Sequence, residues 1–235
     1  ERIREAIIER VKTSDLGYID SAGPLADAFS RFAQRRWGWT VDPAWVRVAT
    51  DVSVGIVESL RFGVASGSPV VVCSPVYPPF FELVEEAGLP LVDVPMRERV
   101  EGWQLDLERI EEAFIAGARA VLLCNPHNPL GVPHDREALI DLAMLAARHD
   151  VLVIADEVHA PLTHHGAVFT PFATVAAEAA LDGCIGETVS ALLAREAAAI
   201  GTAYENVERL KPAYRAKTVL VGNPVRGWFG NLKLW

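Results

Sequence analysis

Two short aliphatic runs, residues 120–124 and 151–155, enclose a stretch whose apolar residues return at helical spacing, and this arrangement narrows the fold more than any other feature. Within 135–149, Leu139, Ile140, Leu142, Ala143, Leu145 and Ala146 fall on one side of a 3.6-residue period. A buried strand, a helix of about four turns and a second strand make a βαβ unit, which requires a right-handed crossover and a parallel sheet. A third run at 69–73 and helical patterns from 53 to about 65 and from 78 to 87, with Gly67 and Gly88 as stops, continue the alternation. The expected class is α/β. In open sheets of this kind ligands collect beyond the carboxyl ends of the strands, so chemistry is expected just after Cys73, Cys124 and Ala155.

Composition limits the partners. A formal charge of −9 and a pI near 5.2 work against nucleic acid, whose binding rests on neutralising phosphates with Lys and Arg. No apolar run reaches the roughly 18 to 20 residues of a membrane-spanning helix, and the charged start does not resemble a signal peptide. Cys73, Cys124 and Cys184 are odd in number and widely spaced, which suits a reducing cytoplasm. The expected partner is a small molecule and the expected location cytoplasmic. The missing initiator Met suggests that the beginning of the natural chain is absent. His164 and His165 are adjacent, lack a third ligand at metal spacing, and are not read as a metal site. Trp37 and Trp39 are read as packing residues.

The three strand ends carry specific stretches: Ser74-Pro75-Val76-Tyr77-Pro78-Pro79-Phe80, Asn125-Pro126-His127-Asn128-Pro129-Leu130-Gly131, and Asp156-Glu157-Val158-His159-Ala160. Each has an ordinary explanation. An Asp after a buried strand caps a turn or helix, Asn-Pro is a turn former, and a Tyr packs readily in a Pro-rich loop. Their combination is the informative part.

Together these motifs resemble the fold-type I pyridoxal-phosphate enzymes of the class I and II aminotransferase superfamily, most closely the bacterial cystathionine β-lyase branch, over residues 1–175. His127 and the Asp-Glu-Val-His order favour the lyase branch. The resemblance implies a transferase-like large domain at 1–175, with a mostly parallel sheet flanked by helices and a small domain missing or incomplete. It implies pyridoxal 5'-phosphate as cofactor: Asp156 beside the pyridine nitrogen, Asn128 toward the ring oxygen with Asn125 shaping its turn, and Tyr77 against the ring face. Ser53 and Val54, entering a helix, would meet the phosphate, His159 belongs to the same site, and Tyr18 lies in a stretch similar to the substrate-entry segment. The implied substrate is a small amino acid such as cystathionine. A homodimer is also implied, with the apolar region 168–175 as a candidate face.

The pattern breaks after residue 175. Family enzymes attach the cofactor to a lysine that also moves the α-proton, yet no lysine occurs between Lys12 and Lys211. Residues 176–216 read as an Ala-heavy, helix-rich segment. Beyond it, 218–233 is loosely similar to the missing strand and lysine loop, with Arg226 where the lysine belongs, and arginine forms no Schiff base. Residues 176–235 therefore read as divergent, frame-disturbed or part of an incomplete chain. Three functions stay open: a carbon–sulfur β-lyase releasing thiol, pyruvate and ammonia, an aminotransferase, and a non-catalytic remnant of the cofactor fold. The chain alone is expected to be inactive or nearly so.

Overall fold

The computed structural model describes residues 1–13, 23–100, 102–179, 219–222 and 232–234. Helix α1 (Arg2–Lys12) buries no residue, whereas α2 (Gly23–Trp37) buries Ala26, Phe29 and Ala33 along one helical face. After the short strand β1 (Val46–Val48) comes α3 (Val52–Gly63). Asp51 caps it, accepting the Val54 backbone N–H at 2.8 Å, so the helix starts one residue before the sequence reading placed it. It also ends earlier, at Gly63, and Gly67 lies in the turn beyond with φ 81°. Strand β2 (Val70–Val72) leads to α4 (Pro79–Glu86), which Gly88 closes at φ 76°.

Strand β3 (Leu91–Asp93), the hairpin of β4 (Arg97–Arg99) and β5 (Gly102–Gln104), and α5 (Leu107–Ile115) were not anticipated. Then come the three elements of the βαβ unit, β6 (Ala120–Cys124), α6 (Arg136–Arg148) and β7 (Leu152–Asp156). The second strand sits one residue later than expected because the Val151 N–H donates to the Ala146 carbonyl and finishes the end of α6. Asp156 is thereby the last residue of a strand, not the first of a loop. Helix α7 (Phe172–Ala179) and strands β8 (Val219–Gly222) and β9 (Leu232–Leu234) complete the described elements.

Seven strands form one sheet in the order β1-β9-β8-β7-β6-β2-β3. The run β8-β7-β6-β2-β3 is parallel, and β9 pairs antiparallel with both β8 and β1. Alternation along the central strands feeds two cores. Val71, Val121, Leu123, Val153 and Ala155 face α2, α5, α6 and α7, while Val70, Val72, Leu122, Leu152 and Ile154 face α3 and α4. Helices on both faces are what near-continuous apolar strands require.

One expectation is corrected. The apolar region 168–175 is not a free face for a second chain: Phe169, Phe172 and Val175 are buried in the core beside α2 and α6, and Val168 alone of its large apolar residues is exposed. Trp37 and Trp39 likewise pack against this core. Among the described residues no helix is long and apolar enough to cross a membrane.

Because Leu142 is fully buried on α6 against the sheet, Leu142→Ala should destabilise the fold by about 2–5 kcal/mol through lost burial and a residual cavity. Urea denaturation followed by circular dichroism would read this as a lower midpoint with an unchanged slope.

Candidate functional site at the strand ends

Strands β6 and β7 pair in register, with Cys124 opposite Asp156, and the Asn125 N–H continues the ladder to the Asp156 carbonyl at 2.9 Å. Alternation then decides which side chains face which way. Cys124 and Asp156 belong to the α3 and α4 side of the sheet and line a cavity of about 570 Å³. Ser53 from the start of α3, Tyr77 from the loop before α4, Asn128 from the loop after β6, and His159 just past β7 line the same cavity. Its apolar walls include Ile56, Phe80, Leu83 and Val158. The sequence reading therefore named five residues that the fold brings together: Ser53, Tyr77, Asn128, Asp156 and His159.

Asn125 and Val54 are not among them, and both have a physical reason. Asn125 is one residue further along the ladder, so its side chain lies on the other face, where it is fully buried. Its amide donates to the Thr170 carbonyl at 3.1 Å and to Glu157 Oε1 at 3.4 Å, and its oxygen accepts the His134 N–H at 3.2 Å. It is a strut holding the loop that carries Asn128. The Val54 N–H is occupied by the Asp51 carboxylate, which leaves the Val52 and Ser53 N–H groups at the helix start without acceptors among the described residues. Tyr18 and Arg226 lie outside the described residues.

The loops are held from behind. Ser74 donates both its N–H and its hydroxyl to the Asp93 carboxylate, at 3.1 and 2.8 Å, which fixes the start of the segment leading to Tyr77. His127 is 1% exposed, its Nε2–H donates to the Pro75 carbonyl at 2.9 Å, and it ties the loop after β6 to the loop after β2. The His127–Val132 bridge and Gly131 at φ 69° close the turn around Asn128 and Pro129. The Asn128 N–H donates to Cys124 Sγ at 3.3 Å, which fixes its backbone above the strand end.

The electrostatics at this edge are unusual. Burial pushes the Asp156 carboxyl up to about 7, against the opposing Val158 N–H, which donates to Oδ1 at 3.1 Å. Burial also raises Glu157 to about 8, although Phe172 and Asn125 donate to Oε1. His134 is lowered to about 4 by burial, and His127 is lowered for the same reason. A buried carboxylate facing a cavity with one protein donor among the described residues suits a cationic ligand atom. Among the described residues no group of three or more His, Cys, Asp or Glu could hold a metal ion, and no lysine lines the cavity.

Sequence reasoning missed Glu157, Cys124, Phe32 and Arg36 as contributors. Phe32 and Arg36 reach the cavity from α2, and only the packing of α2 onto the sheet brings them there. Glu157 stood inside a quoted stretch and Cys124 immediately before another, and strand alternation was the signal that could have assigned each to its face.

A mostly parallel sheet with helices on both faces and a polar cavity at its strand ends defines a doubly wound ligand-binding domain. Residues 1–201 match the model of the aminotransferase class I and II family, and the chain belongs to that family. It is 36% identical over 165 residues to a cystathionine beta-lyase of Corynebacterium glutamicum, covering 70% of this chain and 43% of that one. It is 34% identical over 176 residues to the cystathionine beta-lyase PatB of Bacillus subtilis, covering 74% and 46%. The PLP-bound C-S lyase of Staphylococcus hominis superposes with a TM-score of 0.71 at 23% identity, over 76% of this chain and 46% of that one, a likeness of fold. The chain spans less than half the length of these relatives.

The raised carboxyls set a direction for the pH dependence of stability. Asp156 and Glu157 bind protons more tightly folded than unfolded, so the stability linked to their protonation is lost as pH rises through about 7 and 8. Below about 6.5 the lowered histidines act in the opposite sense, since the unfolded chain then takes up the proton. The urea midpoint of the ligand-free protein should therefore fall between about pH 6.5 and 8.5. Glu157→Gln, which keeps an acceptor for Phe172, should flatten that fall, and an unchanged slope in the variant would contradict the assignment.

Proposed function

We propose that this chain carries the cofactor-binding part of a pyridoxal 5'-phosphate-dependent carbon–sulfur β-lyase site acting on a small thioether amino acid such as cystathionine. The observation that carries the reading is the convergence of the Asp156 carboxylate and the Asn128 amide on one cavity at the ends of β6 and β7. When bound, the cofactor supplies an electron sink for bonds at the substrate α-carbon. Asp156 would hold the proton on its pyridine nitrogen, and the opposite charge would bring the carboxyl back down from about 7. Asn128 would donate to the ring oxygen, while Tyr77, half exposed at the cavity, offers an aromatic face. The Val52 and Ser53 N–H groups, with the Ser53 hydroxyl, would meet the phosphate at the positive end of α3.

His127 and His159 and the identity to two cystathionine beta-lyases favour the lyase over the aminotransferase reading. A cytoplasmic homodimer accords with the acidic, cysteine-poor composition and with the habit of the family. The lining of the cavity favours a second reading, binding without turnover. Removal of the α-proton needs a base beside the substrate carbon, and no lysine stands there among the described residues.

The expectation is that the purified chain takes up pyridoxal 5'-phosphate reversibly and that Asp156→Asn weakens uptake by roughly ten- to a hundredfold, the value of one charged hydrogen bond. Uptake is measured by absorbance after desalting. Equal uptake by the variant would sink the placement of the ring nitrogen. Little thiol or pyruvate should appear from cystathionine. Turnover, or borohydride attachment of the cofactor to a lysine peptide, would overturn the expectation of binding without catalysis.

A further inference from the structure

His127 is not part of the lining of the 570 Å³ cavity, yet it joins the two loops that follow β2 and β6. Its Nε2 faces the Pro75 carbonyl, so Nε2 carries the hydrogen of the neutral ring and Nδ1 keeps a bare lone pair. Nδ1 is the one buried side-chain nitrogen or oxygen among the described residues that has no hydrogen-bond partner. The ring meets His134 edge to face with centroids 5.4 Å apart, and His134 Nε2 donates to the Cys124 carbonyl at 2.9 Å. Both histidines are buried. A neutral His127 fits this setting. A protonated one would bury a charge, and an Nδ1–H with no partner at hydrogen-bond geometry, beside a second imidazole. The carbonyls of Pro75, Cys124 and Cys73 favour the charged ring, but burial outweighs them and the proton is held less tightly than on an ordinary imidazole.

Among the described residues no neighbour supplies the counter-charge that a protonated ring would need. The Cys73 and Cys124 thiols, pushed up to about 12 by burial, stay neutral. Asp156 at the end of β7 and Glu157 beyond it, raised to about 7 and about 8, are themselves protonated in acid. Asp93 on β3 is engaged by the Ser74 N–H and hydroxyl. His159 and His164 share with His127 the lining of a cleft of about 210 Å³ and bring no negative charge. We infer that His127 is an acid-released latch between the loops after β2 and β6: on taking up a proton its ring leaves the Pro75 carbonyl for the cleft, and the two loops part. The inference concerns the fold of this chain and does not rest on the proposed function. His127 responds first, because His134, lowered to about 4 by burial and by the charge of His127, takes its proton later. The latched loops carry Tyr77 and Asn128, so acid loosens the edge of the cavity from behind and neutral pH closes it again.

Amide hydrogen exchange of the full chain, followed by NMR from about pH 7.5 to 5, tests this. The reporting amides are that of His127, bonded to the Val132 carbonyl at 2.7 Å, and that of Gly131, bonded to the His127 carbonyl at 2.6 Å. Their protection should fall by about fivefold or more across that range, while the amides of the β6–β7 ladder keep theirs. His127→Gln, whose side-chain amide can still donate to the Pro75 carbonyl and takes up no proton, should hold its protection throughout. His134→Gln should still show the fall. The ring signals of His127 should titrate with the midpoint of the exchange. A fall that persists in His127→Gln, that vanishes in His134→Gln, or that wild-type protein lacks overturns the inference. Where His127→Gln does not fold, the ring signals decide: a His127 that stays neutral while protection falls overturns the latch, and one that titrates with the fall upholds it.

Discussion

Five residue pairs hold β6 against β7, from Ala120 with Leu152 to Cys124 with Asp156, and the Asn125 N–H adds a sixth rung at the strand ends. Side chains alternate with a period of two, so a slip of one residue would exchange the faces of every group beyond the sheet. Asp156 would then turn toward α6 and α7, and Glu157 would take its place at the cavity. Register is secured by burial on both faces: Leu122 and Ile154 fill the core under α3 and α4, and Leu123 and Ala155 fill the one under α2 and α6. The position of the cavity carboxylate is thus set by hydrophobic packing several residues upstream.

That alternation also divides the polar residues into a cavity layer and a supporting layer. Asn125 and Glu157 are buried on the far side and satisfy one another, the Thr170 carbonyl, the Phe172 N–H and the His134 N–H. Leaving any of these groups unpaired would cost about 1–3 kcal/mol, so the network resists deformation of either loop. Removing a cavity residue such as Asn128 does not disturb it, whereas removing Asn125 would leave partners on three segments unpaired. The two asparagines of the Asn-Pro-His-Asn-Pro stretch look equivalent in sequence and have different tasks.

Much of this was legible because strands buried on both faces and a well-spaced amphipathic helix leave strong local signals, as at 120–124 and at Leu139 through Ala146. The location of chemistry followed from a rule about parallel sheets, and Ser53, Tyr77, Asn128, Asp156 and His159 do line one cavity. The misses share a cause. Val54 was chosen for its place at a helix start, but the competition among Asp51, Ser53 and the backbone for the first N–H groups is settled only by the cap geometry. Asn125 needed the register between two strands thirty residues apart. Arg36 needed the docking of α2, whose approach to the cavity depends on Ala33, Trp37 and Phe169 meeting across more than a hundred residues of chain.

The charges of the cavity complement one another in a way that neither the net charge nor any single motif conveys. The chain is acidic as a whole, yet at the cavity one carboxyl is held near 7 by burial and shares the space with Arg36, which forms no ion pair among the described residues. In low dielectric, a ligand bringing one positive and one negative group can satisfy both without water, and a ligand of single charge leaves one of them unmet. A zwitterion or a protonated heteroaromatic anion meets that condition. The acidic surface, spread over helices that face solvent, affects solubility and encounter and leaves this local balance intact. The two opposite charges are fixed by different elements, a strand end for Asp156 and a helix C-terminus for Arg36.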